Sequence, residues 1–407
     1  MPTPPRARLL ARALLVALLV VLVALGLAPA APARADTPLG GPRLQGLDVV
    51  SDSPGTPPVP PTSAASFLVA DLDSGDVLAA KDPHGRYAPA STLKTLTAVA
   101  LLPRLDLAQQ VAPAADDVNV DGTKVGLVRQ LSYSVRDLFT ALMVTSANDA
   151  AGALATAVGG QQAAARLMNA EAVRLNALDT HAENTSGLDA VGQVSSAYDL
   201  ALISRAGLTL PDFRTFVATR RAFIPAPGGV TIEINNHNRL LSTYAGTLGV
   251  KNGYTDAARA SFIGAATRGG RTLVVTLMRG EPAIWKDAAA LLDWGFAATG
   301  AGARPVGTLV APQAATATVG EAGPAPGAGP AAAAPSVVPV AVRTADAGLP
   351  VVRLLLLLVL ALLLVLVLLR RRAVVRARAR RRRAARLAAV AGPAPAARRA
   401  VRPTPLR

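Results

Sequence analysis

Ser66-Phe67-Leu68-Val69-Ala70-Asp71 and Asp76-Val77-Leu78-Ala79-Ala80 flank the turn residues Leu72-Asp73-Ser74-Gly75, and shortly afterwards the chain reads Pro89-Ala90-Ser91-Thr92-Leu93-Lys94. The first stretch predicts a β-hairpin. The second leads into an apolar run, Leu93, Leu96, Val99 and Leu102, with helical spacing. Ser91 and Lys94 stand three residues apart and share one face of that helix, so the amine can reach the hydroxyl. Serine is a poor nucleophile until a base takes its proton, and a Ser–Lys pair achieves this without histidine. The pattern is short, and a helix N-cap followed by a surface lysine would explain it by itself. The rest of the chain decides.

Lysine use is the first such observation. Only Lys81, Lys94, Lys124, Lys251 and Lys286 occur among 42 basic residues. Arginine cannot act as a base, whereas a desolvated lysine can.

Downstream, helical patterns cover 92–102, 135–144, 149–158, 161–178 and 197–208, with Ser134-x-x-Asp137 resembling a capping box. Strand patterns then cover Val217–Ile224, Val230–Ile234, Leu248–Lys251, Ser261–Thr267 and Thr272–Met278. A closing helix is expected at about 283–298. Strands, helices, strands and a last helix predict an α/β (α+β) sandwich: a mainly antiparallel sheet flanked by helices, with a helical subdomain. The segment 63–300 is long enough for one such core.

The chain has 407 residues and a formal charge of +16, which suggests nucleic acid until the charge is located. Fourteen arginines and no acid lie between Arg370 and Arg407, and residues 1–35 hold four more arginines. That leaves 24 basic residues against 26 acidic ones in the middle. Nucleic-acid binding thereby loses its support. Without cysteine, disulfides and thiol nucleophiles are excluded. The three histidines, His84, His181 and His237, have no metal-binding spacing, and no Gly-x-Ser-x-Gly elbow is present. Neither metal nor cofactor is expected.

The two ends carry the charge for a different reason. Arg6, Arg8 and Arg12 precede an apolar run from Ala13 to Leu27 and a small-x-small site at Ala33-Arg34-Ala35, the layout of a signal peptide over 1–35, with an uncleaved anchor as the alternative. Residues 36–62 read as a Pro/Gly-rich leader and 301–348 as an Ala/Pro/Gly-rich linker. Leu354–Leu369 is uninterrupted Leu, Val and Ala, extended past Arg353 by Val351 and Val352. This predicts a transmembrane helix over about 350–370, with Arg353 snorkelling. The basic tail 371–407 then belongs in the cytoplasm. The expected protein is a single-pass cell-membrane protein with an extracytoplasmic domain.

Two further stretches complete the pattern. Ser146-Ala147-Asn148 lies between two predicted helices, and Lys251-Asn252-Gly253-Tyr254-Thr255 lies on a predicted strand after Asn236-x-Asn238-Arg239-Leu240-Leu241. With Asp71–Gly75, Pro89–Ser91, Asn184-x-x-Gly187-Leu188-Asp189 and Ser196-Ala197-Tyr198-Asp199-Leu200, the chain from about Ala64 to Ala298 resembles the serine D-alanyl-D-alanine carboxypeptidases. These are low-molecular-weight penicillin-binding proteins of the penicillin-recognising serine hydrolases, for which an ordered three-motif signature is established. The resemblance implies that Ser91 attacks the carbonyl between two D-alanines of a peptidoglycan stem peptide, with Lys94 as general base. It makes Ser146 the proton relay, and Asn148 and Lys251 substrate-binding residues along with Asn252, Gly253, Tyr254 and Thr255. Gly253 lets the strand approach closely, and the backbone N–H groups of Ser91 and Tyr254 would form an oxyanion hole. β-Lactams would mimic the substrate and stall as acyl-enzymes.

The sequence departs from the family at two points. The usual third motif is Lys-Thr-Gly, and Asn252 stands in its middle here. The family often binds the terminal carboxylate with an arginine near the closing helix, where this chain offers Arg279 and Lys286. A β-lactamase is a rival reading, but it needs an Ω-loop glutamate, and Glu171 lies in a predicted helix at the wrong spacing. The same motifs would also suit a peptidoglycan DD-endopeptidase or a catalytically weak, membrane-held binder of wall peptides.

Overall fold

The computed structural model describes residues 38–313. Eleven strands run in chain order: β1 (Val49–Ser51), β2 (Ser66–Asp71), β3 (Asp76–Lys81), β4 (Gln110–Val111), β5 (Tyr133–Ser134), β6 (Arg221–Pro225), β7 (Thr231–Asn235), β8 (Thr247–Thr255), β9 (Arg259–Arg268), β10 (Arg271–Gly280) and β11 (Gly307–Thr308). The α-helices are α1 (Lys94–Leu101), α2 (Ala115–Val118), α3 (Val135–Val144), α4 (Asn148–Ala157), α5 (Gln161–Arg174), α6 (Ala197–Thr209), α7 (Pro211–Ala218), α8 (Leu240–Thr243) and α9 (Ile284–Gly300).

The main sheet has the order β1-β3-β2-β10-β9-β8, with β11 also paired to β3, and every pairing is antiparallel. The β2–β3 turn forms where the sequence places it. Gly75 takes a positive φ of 86°, and the buried Asp71 carboxylate accepts the N–H groups of Asp73 and Ser74 at 2.9 and 3.2 Å. All six residues of β2 are buried, because helices cover both faces of the sheet. Leu68, Ala70, Val274 and Ile263 pack into the helical layer with α1, α3 and α6. Phe67, Val69, Phe262 and Val275 pack under α9 with Leu291 and Leu292. Burial on both faces explains why this strand reads as a continuous apolar run rather than an alternation.

The α/β sandwich, with its antiparallel sheet between helical layers, is therefore present. α3 begins as expected, with Ser134 Oγ accepting the Asp137 N–H at 3.1 Å. Three local expectations need correction. The strand expected at Val217–Ile224 starts only at Arg221, because α7 occupies Pro211–Ala218 and buries Phe213, Phe216 and Val217 at helical spacing. The helix expected to reach 178 ends at Arg174, and Asn176 follows with a φ of 59°. The expected leader and linker each supply a strand: β1 and β11 both pair with β3. Among the described residues no helix is long and apolar enough to cross a membrane. The expected signal peptide, C-terminal span and basic tail lie outside the described residues.

β8 is the open edge of the sheet. Its central residues face the turn that carries Ser91, so the first and third sequence motifs meet along that edge.

Candidate active site

Ser91 lies in a 3-10 turn, Ala90–Leu93, and Lys94 is the first residue of α1. With three residues per turn, positions three apart eclipse, which aligns the two side chains more closely than an α-helix would. The turn is clamped on several sides. Ala90 is fully buried with a φ of 48°. The Pro89 carbonyl accepts the hydroxyls of Thr92 at 2.6 Å and Ser261 at 2.7 Å. Gly187, with a φ of 80°, lies so close that a Cβ there would fall 2.0 Å from the Ala90 carbonyl oxygen. On the other side, a Cβ on Gly253 would fall 2.5 Å from the Ser91 nitrogen. The turn that carries Ser91 is thus fixed between two glycines that admit no side chain.

The Lys94 amine is fully buried. It lies 3.1 Å from Ser91 Oγ, 2.6 Å from Asn148 Oδ1 and 2.5 Å from the Ser186 carbonyl oxygen. Burial, followed by the neighbouring Lys251 charge, pushes its pKa well below the ordinary lysine value. Desolvation disfavours the ammonium form, and a like charge nearby acts in the same direction. A neutral amine has two N–H bonds and one lone pair. With the N–H bonds given to Asn148 and Ser186, the lone pair is left for the Ser91 hydroxyl. This is the arrangement a general base requires.

Lys251, on β8, is also buried and donates to its neighbour's carbonyl, Asn252 O, at 2.9 Å. Burial pushes its pKa down to about 7. Ser146 links α3 to α4 with a φ of 63° and is buried. Its Oγ has no hydrogen-bond partner among the described residues. A strained residue with an unsatisfied buried hydroxyl is costly, and that cost falls here at the junction of two helices.

The other expected residues divide. Asn148 sits at the start of α4, with Oδ1 committed to Lys94 and one Nδ2 hydrogen given to the Asp121 carbonyl at 2.7 Å. Its primary contact is therefore with Lys94, and one amide N–H is left for a substrate. Thr255 reaches the rim, but its hydroxyl donates to Asp189 Oδ1 at 2.8 Å and accepts the Ala258 N–H at 3.0 Å. It fastens the end of β8 to the Gly187-Leu188-Asp189 segment rather than offering a free group. Tyr254 is half-exposed at the mouth. Asn252 points to the opposite face of β8 from Lys251, into a cavity of about 210 Å³ that also borders Gly253 and Tyr254.

Of the two cations expected to meet a terminal carboxylate, Arg279 donates to the Ala257 carbonyl at 3.2 Å and Lys286 lies 5.7 Å from the Trp285 ring centre. Glu171, the residue a β-lactamase reading would need, is on α5 and is held by Arg174 at 2.6 and 2.9 Å.

Several contributors escape a reading of the sequence. The Ser186 and Asp121 groups are backbone carbonyls, which leave no side-chain signal. Asp149 is fully buried and accepts the N–H groups of Val125, Gly126 and Leu127, folding that loop against the site. The Asn148-Asp149 step at the second motif is the one visible sign of it.

A family model described as D-alanyl-D-alanine carboxypeptidase matches residues 54–281. The chain is 43% identical over 250 residues to the D-alanyl-D-alanine carboxypeptidase DacB2 of Mycobacterium tuberculosis, covering 60% of this chain and 86% of that one. Among solved structures, a D-alanyl-D-alanine carboxypeptidase from Mycobacterium tuberculosis aligns with a TM-score of 0.59 at 42% identity, over 61% of this chain and 96% of that one. A mutant of a Streptomyces DD-transpeptidase aligns with a TM-score of 0.56 at 29% identity, over 58% of this chain and 99% of that one. The motifs that meet at the edge of β8 and the match over most of the described domain agree: this chain belongs to the D-alanyl-D-alanine carboxypeptidase family.

Proposed function

We propose that this protein removes the terminal D-alanine from peptidoglycan stem peptides through an acyl-enzyme on Ser91. The observation that carries this reading is the buried Lys94 amine, 3.1 Å from Ser91 Oγ and held by two other acceptors. Lys94 takes the hydroxyl proton as Ser91 Oγ attacks the carbonyl of the penultimate D-alanine. The tetrahedral oxyanion is held by the backbone N–H groups of Ser91 and Tyr254. As it collapses, the C–N bond breaks and the departing amine takes a proton from Lys94 through Ser146 Oγ, leaving D-alanine and an ester on Ser91. A water molecule then attacks the ester, again with Lys94 as base, and Ser91 is restored. Lys251 supplies a positive field beside Ser146 and the substrate, and Asn148 holds Lys94 and offers its remaining N–H to the substrate amide. A β-lactam enters by the same first step and leaves a slowly hydrolysed ester.

The domain works outside the cytoplasm, tethered to the cell membrane by residues 350–370. Support comes from the apolar run Leu354–Leu369, extended past Arg353 by Val351 and Val352, and the fourteen arginines beyond it, which the positive-inside rule retains in the cytoplasm. Protease added to intact cells should cut within 301–348 and spare the arginine tail; the reverse pattern overturns the orientation.

Mass spectrometry after penicillin treatment tests the chemistry. The wild type should carry one adduct on Ser91, and Ser91→Ala none. Lys94→Arg keeps the charge but removes the base, and should acylate at least about a hundredfold more slowly. An adduct on Ser91→Ala sinks the assignment.

A further inference from the structure

His84 stands on the segment between β3 and the Ser91 turn, and each of its ring nitrogens faces an acceptor. Nδ1 lies 2.8 Å from Asp179 Oδ2, and Nε2 lies 3.0 Å from the Leu39 carbonyl oxygen. A carbonyl and a carboxylate accept and do not donate, whereas a neutral imidazole has one N–H and one lone pair. Both bonds form together only when the ring carries two protons. The contacts themselves therefore describe an imidazolium. When it loses a proton, the remaining N–H stays with the stronger acceptor, the carboxylate. The second nitrogen then turns a lone pair toward the Leu39 carbonyl.

The surroundings of this ring join two outlying segments of the domain. Its centre lies 4.6 Å from that of the Tyr198 ring, a buried residue of α6, and a positive ring is drawn to an aromatic neighbour more strongly than a neutral one. The Tyr198 hydroxyl donates to the Thr308 carbonyl at 2.7 Å and accepts the Val310 N–H at 3.1 Å. Thr308 in turn donates its N–H to the Gly40 carbonyl at 2.9 Å. Gly40 has a φ of 85°, and a Cβ there would fall 2.6 Å from the Tyr198 hydroxyl oxygen. The entering segment Leu39–Gly41 and β11 thus rest on one pair of adjoining rings.

Charged groups reach His84 from two other elements. Burial works against the imidazolium, but the Asp179 hydrogen bond and charge, the Leu39 carbonyl and the Asp199 charge outweigh it, and the pKa is raised above the ordinary 6.5. Asp199, on α6, is pushed up to about 7 by burial, although the Thr180 hydroxyl donates to it at 2.8 Å. It gains its charge over the same pH range and favours the protonated ring as it does so. Arg205, also on α6, is turned to the Leu309 carbonyl at 3.1 Å. On the ring's own segment Asp82 accepts the Tyr87 hydroxyl at 2.6 Å, and Arg86 is exposed. Residues 39–41 and 306–310 hold no titratable side chain. A folded pKa above the unfolded one gives a stabilisation that is complete below pH 6.5 and is lost as the pH rises through the folded value.

We propose that His84 is a proton-operated clasp: its charged form fastens the entering segment Leu39–Gly41 and β11 to the core, and its neutral form lets them loosen. The device is independent of the carboxypeptidase reading.

Hydrogen exchange read by mass spectrometry tests it, on the full-length protein in detergent, over peptides covering 38–48 and 305–313. Corrected for the pH dependence of intrinsic exchange, the protection of both should fall at least about threefold between about pH 5.5 and 9. By linkage, that fall equals the ratio of the ring's proton affinities in the fastened and loosened states. An NMR titration of the His84 ring, its signal identified by its loss in His84→Gln, should give a pKa above 6.5. His84→Gln should show the lower protection at every pH, and Asp179→Asn should bring the His84 pKa down and shrink the pH dependence. Wild-type protection that does not change with pH, or a His84 pKa at or below the ordinary value, overturns the proposal. So does a pH dependence that survives in His84→Gln and disappears in Asp199→Asn, which would place the switch at Asp199.

Discussion

Replacing Lys251 by methionine should make the folded protein more stable and abolish its activity. Lys251 is fully buried, its amine bonds only the Asn252 carbonyl among the described residues, and burial pushes its pKa down from 10.5 to about 7. In the unfolded chain the amine binds protons with its ordinary affinity. The folded state is therefore penalised wherever the unfolded lysine is protonated. The penalty is complete below pH 7, shrinks as pH rises from 7 to 10.5, and vanishes above. At ~1.4 kcal/mol for each tenfold change in proton affinity, the difference between the two values corresponds to about 5 kcal/mol. Methionine fills similar space without charge but leaves the Asn252 carbonyl without that donor, which returns about 1 kcal/mol. The expected net gain is about 4 kcal/mol near pH 6, falling towards zero by about pH 10. Urea unfolding of a fragment spanning residues 36–345, measured for wild type and variant from about pH 6 to 10, checks this directly. Penicillin labelling on the same samples should show acylation lost. A variant no more stable than wild type at the acid end, or a gain that does not shrink with pH, refutes the reasoning. Stability withheld at one buried amine is a recognised form of activity–stability trade-off.

Two other substitutions address the walls of the site. Gly187→Ala puts a methyl group 2.0 Å from the Ala90 carbonyl at a position with a φ of 80°. It should cost about 2 kcal/mol or more of stability and slow acylation by moving Ser91; circular dichroism melts and labelling rates that both match wild type would contradict this. Asn252→Thr shortens the donor facing the cavity, and stopped-flow acylation should quicken about tenfold, equivalent to ~1.4 kcal/mol. An unchanged or lower rate would mean the cavity is fitted to the amide.

Much of the framework is legible in the sequence because local pattern and tertiary role coincide. The β2–β3 hairpin is readable from its turn chemistry, and α3 from the Ser134 cap and apolar spacing. The motifs carrying Ser91, Lys94, Ser146 and Lys251 are legible because their chemistry depends on side chains at fixed spacing. What escapes lacks such a signal. β1 and β11 are three and two residues long, too short for periodicity, and their common partner is far away in sequence. α7 is hidden because Val217 adjoins the strand that follows and extends its apolar pattern, although Pro211 at the first turn marks a helix start. The Ser186 carbonyl on Lys94 leaves no trace, since any residue supplies that atom. Thr255 stands out in the third motif, but the capture of its hydroxyl by Asp189 depends on a contact between distant segments.

The pairing of β1 and β11 with one strand also sets how the domain bears load. Thr308 N–H donates to the Gly40 carbonyl at 2.9 Å, and the Tyr198 hydroxyl donates to the Thr308 carbonyl at 2.7 Å. The chain thus enters beside β11 on the β3 side, at the far end of the sheet from β8, and its last described residues run on to the end of α5, where the Gln313 N–H donates to the Arg174 carbonyl at 2.7 Å. A pull between these two leads is taken up by that local set of hydrogen bonds. It does not pass through the strands that hold Ser91 against Gly253. The edge that carries Ser91 and Gly253 thereby takes no part in the bonds that fasten the two leads.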